Sequence, residues 1–97
     1  MNSIGRELET PLHMIVTQND VEGVRLLIEA GADVNARTDI GSTPLHRAIG
    51  GGNVEIVRML LDAGALPDLK NNFGETAWTL AEHKPNRDEL RALIGKR

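Results

Sequence analysis

The chain has no cysteine, no tyrosine and only two aromatic residues, Phe73 and Trp78. Without cysteine there is no disulfide framework, no thiolate-held zinc or iron–sulfur site and no thiol nucleophile. That absence fits a reducing compartment, and the expected location is cytoplasmic. Two rings cannot make an aromatic-rich core or a platform for stacked bases. Basic charge is also short: 11 Lys and Arg stand against 14 Asp and Glu, a net charge of −3. A nucleic-acid backbone would meet a weakly repulsive surface, so no nucleic-acid partner is expected. No apolar run approaches the roughly 18 residues of a membrane span, so no membrane association is expected either. The stretch Met1–Glu7 lacks the apolar core of a signal peptide. Serine occurs only as Ser3 and Ser42, and neither sits in a nucleophile elbow.

What remains is an ordinary globular balance, 40% hydrophobic and 26% charged over 97 residues, enough for one domain spanning 1–97. Within it the sequence repeats. Thr10-Pro11-Leu12-His13 returns 33 residues later as Thr43-Pro44-Leu45-His46. At the same offset Val24-Arg25 returns as Val57-Arg58, and Ala30-Gly31-Ala32 as Ala63-Gly64-Ala65. A fainter third copy keeps register: Gly41 maps to Gly74, Thr43 to Thr76, Ala48 to Ala81, Val57 to Leu90 and Leu60 to Leu93. The units are about 1–37, 38–70 and 71–97.

Each unit reads as two short helices and a link. Threonine before proline suits an N-cap followed by the first helical residue. The first helices are therefore expected at Pro11–Gln18, Pro44–Gly50 and Ala77–Lys84. Asp20, Asn53 and Asn86 can cap second helices that run to about Ala30, Ala63 and Ile94. Val24, Leu27, Ile28 and Val57, Leu60, Leu61 keep the i, i+3, i+4 spacing of a half-buried helix. Gly31 and Gly64 supply the left-handed residue that ends it. The stretches Ala32–Ser42 and Ala65–Glu75 carry Asp, Asn, Gly and Pro and read as hairpin-like links. A single pair cannot hide its apolar stripe, whereas stacked pairs can, which predicts an all-α solenoid of about three helix-turn-helix units with short hairpin loops.

The motif Thr-Pro-Leu-His-x-Ala, the Gly31-Ala32-Asp33-Val34-Asn35 run and the 33-residue period closely resemble the ankyrin repeat, over roughly residues 8–94. Departures lie at the ends. Leu8 stands where Gly41 and Gly74 stand later, and Ala77-Trp78-Thr79 replaces Pro-Leu-His. In the third unit Val54, Ile56, Met59 and Ile49 become Arg87, Glu89, Ala92 and Glu82. Those positions are expected to meet a following repeat, so their polarity reads as a terminal cap. At the other end Ile4 and Leu8 could cover the first unit; uncovered, Leu12 and Met14 would invite self-association.

The repeat pattern argues against catalytic chemistry. The resemblance implies that His13 and His46 bond to neighbouring backbone and steady the loops. Their backbones, one unit apart, are too distant for an easy shared metal, and His83 reads as an exposed helix-end residue. Glu22 matches Glu55 and Glu29 matches Asp62 across units, the mark of a solvated outer face rather than an acid–base pair. Gly50-Gly51-Gly52 is no phosphate loop, since no Lys-Ser or Lys-Thr follows. Gly52 is expected to make the turn between helices, and Gly50 and Gly51 are either a tolerant loop or a bare patch that admits a partner's bulky side chain. Trp78 takes the place of Leu12 and Leu45 and is expected to plug the C-terminal core. No metal, cofactor or enzymatic activity is expected.

The resemblance implies protein binding through the hairpin tips and the concave face of the first helices. The matching tip residues are Arg37, Asp39, Ile40, Ser42 and Lys70, Asn72, Phe73, Glu75, with Arg6, Glu7 and Glu9 at the first tip. Thr17, Gln18, His83 and Lys84 would border the groove. Ile40 and Phe73, each just before a glycine and one period apart, read as paired apolar anchors inside a charged rim. The alternative is that both tuck against a neighbouring loop. The expected function is a non-enzymatic protein–protein interaction module. A bacterial inhibitor or immunity-type protein neutralising a toxic enzyme and a self-associating homodimer are the alternatives.

Overall fold

A computed structural model describes residues 10–95, and these form six helices in three consecutive pairs. The pairs are α1 (Pro11–Thr17) with α2 (Val21–Glu29), α3 (Pro44–Gly51) with α4 (Val54–Asp62), and α5 (Ala77–Ala81) with α6 (Arg87–Gly95). Helices of this length are marginal alone in water, so capping and packing must hold them. Thr10, Thr43 and Thr76 each accept a bond from the backbone N–H three residues on, and the side chain there returns a bond to the cap backbone. Asp20 and Asn53 cap α2 and α4 through their side chains. Asn86, ahead of α6, donates its amide to the Gly52 carbonyl at 3.4 Å and so ties two turns together.

The pairs stack in sequence order. α1 packs on α3 and α3 on α5, forming the inner row; α2 packs on α4 and α4 on α6, forming the outer row. The seam is apolar and continuous, with Leu12, Val16, Val24, Leu45, Ile49, Ile56, Val57, Leu60, Leu90 and Ile94 buried in one cluster. Each such side chain contributes about 1.5–3 kcal/mol on burial. Neither row is stable without its neighbours, which is the physical content of a solenoid.

Two expectations need correction. α5 ends at Ala81, not Lys84. Pro85 disfavours helical geometry at Lys84, and the chain passes through turns in which Lys84 N–H bonds to the Ala81 carbonyl at 3.0 Å. Met59 does not face a following unit: it shares an outer cleft with Arg25, Ile28 and Glu29 of α2. The other substitutions do produce a polar final face. Glu82, Arg87, Glu89 and Arg91 are exposed, and Glu82 pairs with Arg91 at 3.1 Å and Arg87 at 3.9 Å. Trp78 is half-buried and packs against the core cluster, and a Cβ on Gly95 would lie 3.7 Å from its ring.

At the first unit Leu12 is buried, whereas Met14 is 48% exposed. The expectations for Ile4, Leu8, Arg6, Glu7 and Glu9 lie outside the described residues. Glu22, Glu29, Glu55 and Asp62 are exposed, and Arg25 pairs with Glu22 and Glu29 along the outer row.

A Cβ on Gly50 would meet nothing within 4 Å, so packing does not require glycine there. Replacing it should relieve the entropic penalty of glycine in a helix. Gly50→Ala is expected to raise unfolding free energy by roughly 0.5–1 kcal/mol in urea titration; a destabilised variant would show that the local backbone demands glycine.

Candidate functional site

Between the pairs the chain makes two tight turns, Thr38–Ser42 in the second unit and Asn71–Glu75 in the third, here called the second and third fingers. Both are closed by the same bonds. Thr38 N–H donates to the Ser42 carbonyl at 2.9 Å and Gly41 N–H to the Thr38 carbonyl at 2.9 Å. One period later Asn71 N–H donates to Glu75 at 3.0 Å and Gly74 N–H to Asn71 at 3.0 Å. Gly41 and Gly74 both take φ of +78°, the left-handed geometry that closes each turn.

The first residue of each finger also knots it from inside. Thr38 Oγ1 accepts from the N–H groups of Ile40 (3.3 Å) and Ser42 (3.2 Å). Asn71 Oδ1 accepts from those of Phe73 (2.9 Å) and Glu75 (2.9 Å). This role was missed in the sequence, where threonine and asparagine do not match. The available signal was their shared ability to accept from backbone two residues on.

The histidines join fingers to helices. His13 and His46 are buried, and each donates from Nε2 to a finger carbonyl of the next unit: Ser42 at 2.8 Å and Glu75 at 2.8 Å. Their Nδ1 atoms accept from the N–H groups of Thr10 and Thr43. These bonds require the neutral tautomer protonated at Nε2. Thr79 holds the corresponding place in the third unit and caps α5 instead. Among the described residues no group of three His, Asp or Glu could hold a metal ion.

The second and third fingers stack directly. Asn72 N–H donates to the Ile40 carbonyl at 2.8 Å, and Asn72 Nδ2 to the Asp39 carbonyl at 3.1 Å. The approach is so close that a Cβ on Gly41 would come within 2.9 Å of Asn72 Oδ1 and 3.1 Å of Asn71 Cα. Below the fingers Asn35 clamps the second unit to the first, accepting from Leu66 N–H at 2.8 Å and donating to the Gly64 carbonyl at 3.2 Å.

Of the tip residues singled out by sequence, Arg37, Asp39, Ile40, Lys70, Asn72 and Phe73 are exposed. Phe73 is 71% exposed and Ile40 37%. Ser42 is different. At 6% exposure it lies beneath the surface with its carbonyl taken by His13, so it fixes the finger and offers no contact area. Glu75 is half-buried, and its carboxylate accepts from Asn71 Nδ2 at 2.9 Å.

Between the fingers and the inner row runs a groove of about 360 Å³, with Val16, Arg47, Gly50, Gly51, Asn71 and Leu80 among its walls. Arg47 bridges α3 to α1 by donating to Thr17 Oγ1 at 3.1 Å. Lys84 Nζ donates to the Gly50 carbonyl at 2.6 Å. The expected border residues Thr17, Gln18 and His83 are exposed, while Lys84 is half-buried by that bond. No described helix is long and apolar enough to cross a membrane.

A family model for ankyrin repeats in many copies matches residues 12–61, which covers α1 through most of α4 and the finger between them. No curated protein matches the chain.

Proposed function

Since the chain belongs to the ankyrin-repeat family, whose members are generally protein–protein interaction modules, we propose that it is a non-enzymatic module that docks one protein through its finger tips and groove. Ile40 and Phe73 are its apolar anchors, and Arg37, Asp39, Lys70 and Asn72 form the charged and polar rim. The observation that carries this reading is the exposure of Phe73, 71%, on a finger whose backbone is fixed by Asn71, Asn72 and His46. A large ring left in water has no folding benefit. On a rigid support it can enter a partner pocket with little further loss of entropy.

The groove extends the same surface. Gly50 and Gly51 leave its floor bare, and neither is demanded by packing within the chain. The test is capture from a native lysate on immobilised wild-type chain and on the Ile40→Asp/Phe73→Asp variant, read by mass spectrometry. A protein held by the first and lost from the second supports the reading. A protein held equally by both moves the interface elsewhere.

A further inference from the structure

Among the described residues the third finger is the outermost of the stack, and it carries unused acceptors. Asn72 reads the second finger through two carbonyls, Ile40 and Asp39. One period on, the corresponding acceptors are the carbonyls of Phe73 and Asn72, and neither accepts a bond within the described residues. Both lie on exposed residues, next to the Phe73 ring. The helices beneath offer no apolar seam to a further pair, because Glu82, Arg87, Glu89 and Arg91 occupy that face. Buried carbonyls need donors, and exposed ones laid out in a fixed row accept an added segment at low cost.

We infer that this edge docks a polypeptide turn that continues the finger stack. The partner segment presents a main-chain N–H to the Phe73 carbonyl, a carboxamide to the Asn72 carbonyl and an apolar side chain over the Phe73 ring. This rests on the tip-binding reading and specifies its chemistry. The template is internal: Asn72 makes those two bonds to the second finger at 2.8 and 3.1 Å. A second copy of the chain does not fit. Its third finger has already spent the Asn72 donors on Asp39 and Ile40. Its second finger carries Asp39 at the corresponding place, a carboxylate that only accepts and would repel a carbonyl.

The test uses the isotope-labelled full chain and a backbone-cyclised peptide carrying the Lys70–Glu75 sequence, followed by amide chemical shifts. Saturable shifts at Asn72, Phe73 and Gly74 are expected, with a dissociation constant on the order of 1 mM for so small a probe. A probe with aspartate in place of its Asn72 equivalent should bind roughly tenfold more weakly, the worth of one hydrogen bond. Absence of shifts, equal shifts with the aspartate probe, or shifts confined to Val16, Arg47 and Leu80 in the groove would each overturn the edge. So would Phe73-dependent self-association in sedimentation. None of these outcomes decides the tip-binding reading, which stands or falls on the lysate capture.

Discussion

Converting Ile40 and Phe73 together to aspartate should weaken partner binding by 100-fold or more, on the order of 3 kcal/mol, and leave the helices in place. Two losses combine. Each aromatic or aliphatic anchor in the middle of an interface is typically worth about 2 kcal/mol or more when truncated. Each new carboxylate must also shed water on docking into a pocket that receives an apolar side chain. The fold has little reason to respond. Phe73 is 71% exposed, and Ile40, at 37%, lies outside the buried cluster. The backbone of each finger is held by Thr38, Asn71, Gly41 and Gly74 rather than by the two side chains. Calorimetric titration against the captured partner gives the affinity, and far-ultraviolet circular dichroism gives the helix content. An unchanged affinity in a folded double variant ends the proposal. If helix content falls together with affinity, the two side chains belong to the packing between loops. Arg58→Ala, an exposed change on the outer row, should leave affinity within about twofold.

Most of the fold was legible because the sequence repeats its own solution. The threonine before each first helix caps it, the apolar stripe at i, i+3, i+4 marks the seam, and Gly31 and Gly64 sit at positive φ where the second helices end. The period also placed Ile40 and Phe73 on adjoining tips. All but one of the failures share a cause: they depended on a backbone atom or a direction, and letters record neither. Ser42 looked like a tip residue until its carbonyl proved to be the acceptor for His13. Thr38 and Asn71 do the same work with different side chains, so comparing letters across units could not pair them. Met59 is apolar and periodic, yet periodicity alone does not say whether a helix side faces the unit before or the unit after. The end of α5 is the exception: Pro85 stands in the sequence, and the constraint it places on Lys84 keeps the helix from reaching that residue.

The fingers work as anchors only if something rigid holds them, and His46 is the direct tie. His46→Ala should lower unfolding free energy by about 3 kcal/mol, or the melting temperature by ~15 °C. The ring is buried, and its removal leaves the Thr43 N–H without its partner at 3.1 Å, while the Glu75 carbonyl loses its 2.8 Å bond and keeps only the one from Asn71 N–H. The orphaned N–H costs about 1–3 kcal/mol, and the lost second bond and the vacated ring volume add to it. The effect should also be directional. In a solenoid the coupling between neighbouring units carries much of the stability. Cutting the bond from α3 to the third finger should therefore loosen that finger, with α5 and α6, before the first two units. Hydrogen exchange would then show protection lost first at residues 71–95, while amides of α1 and α2 stay protected. Partner affinity should fall in this variant although His46 sits behind the tips, because Phe73 would lose its fixed support. A loss below 1 kcal/mol, or uniform loss of protection across all three units, would mean that finger position is set by the Asn72 stack and not by the buried imidazole.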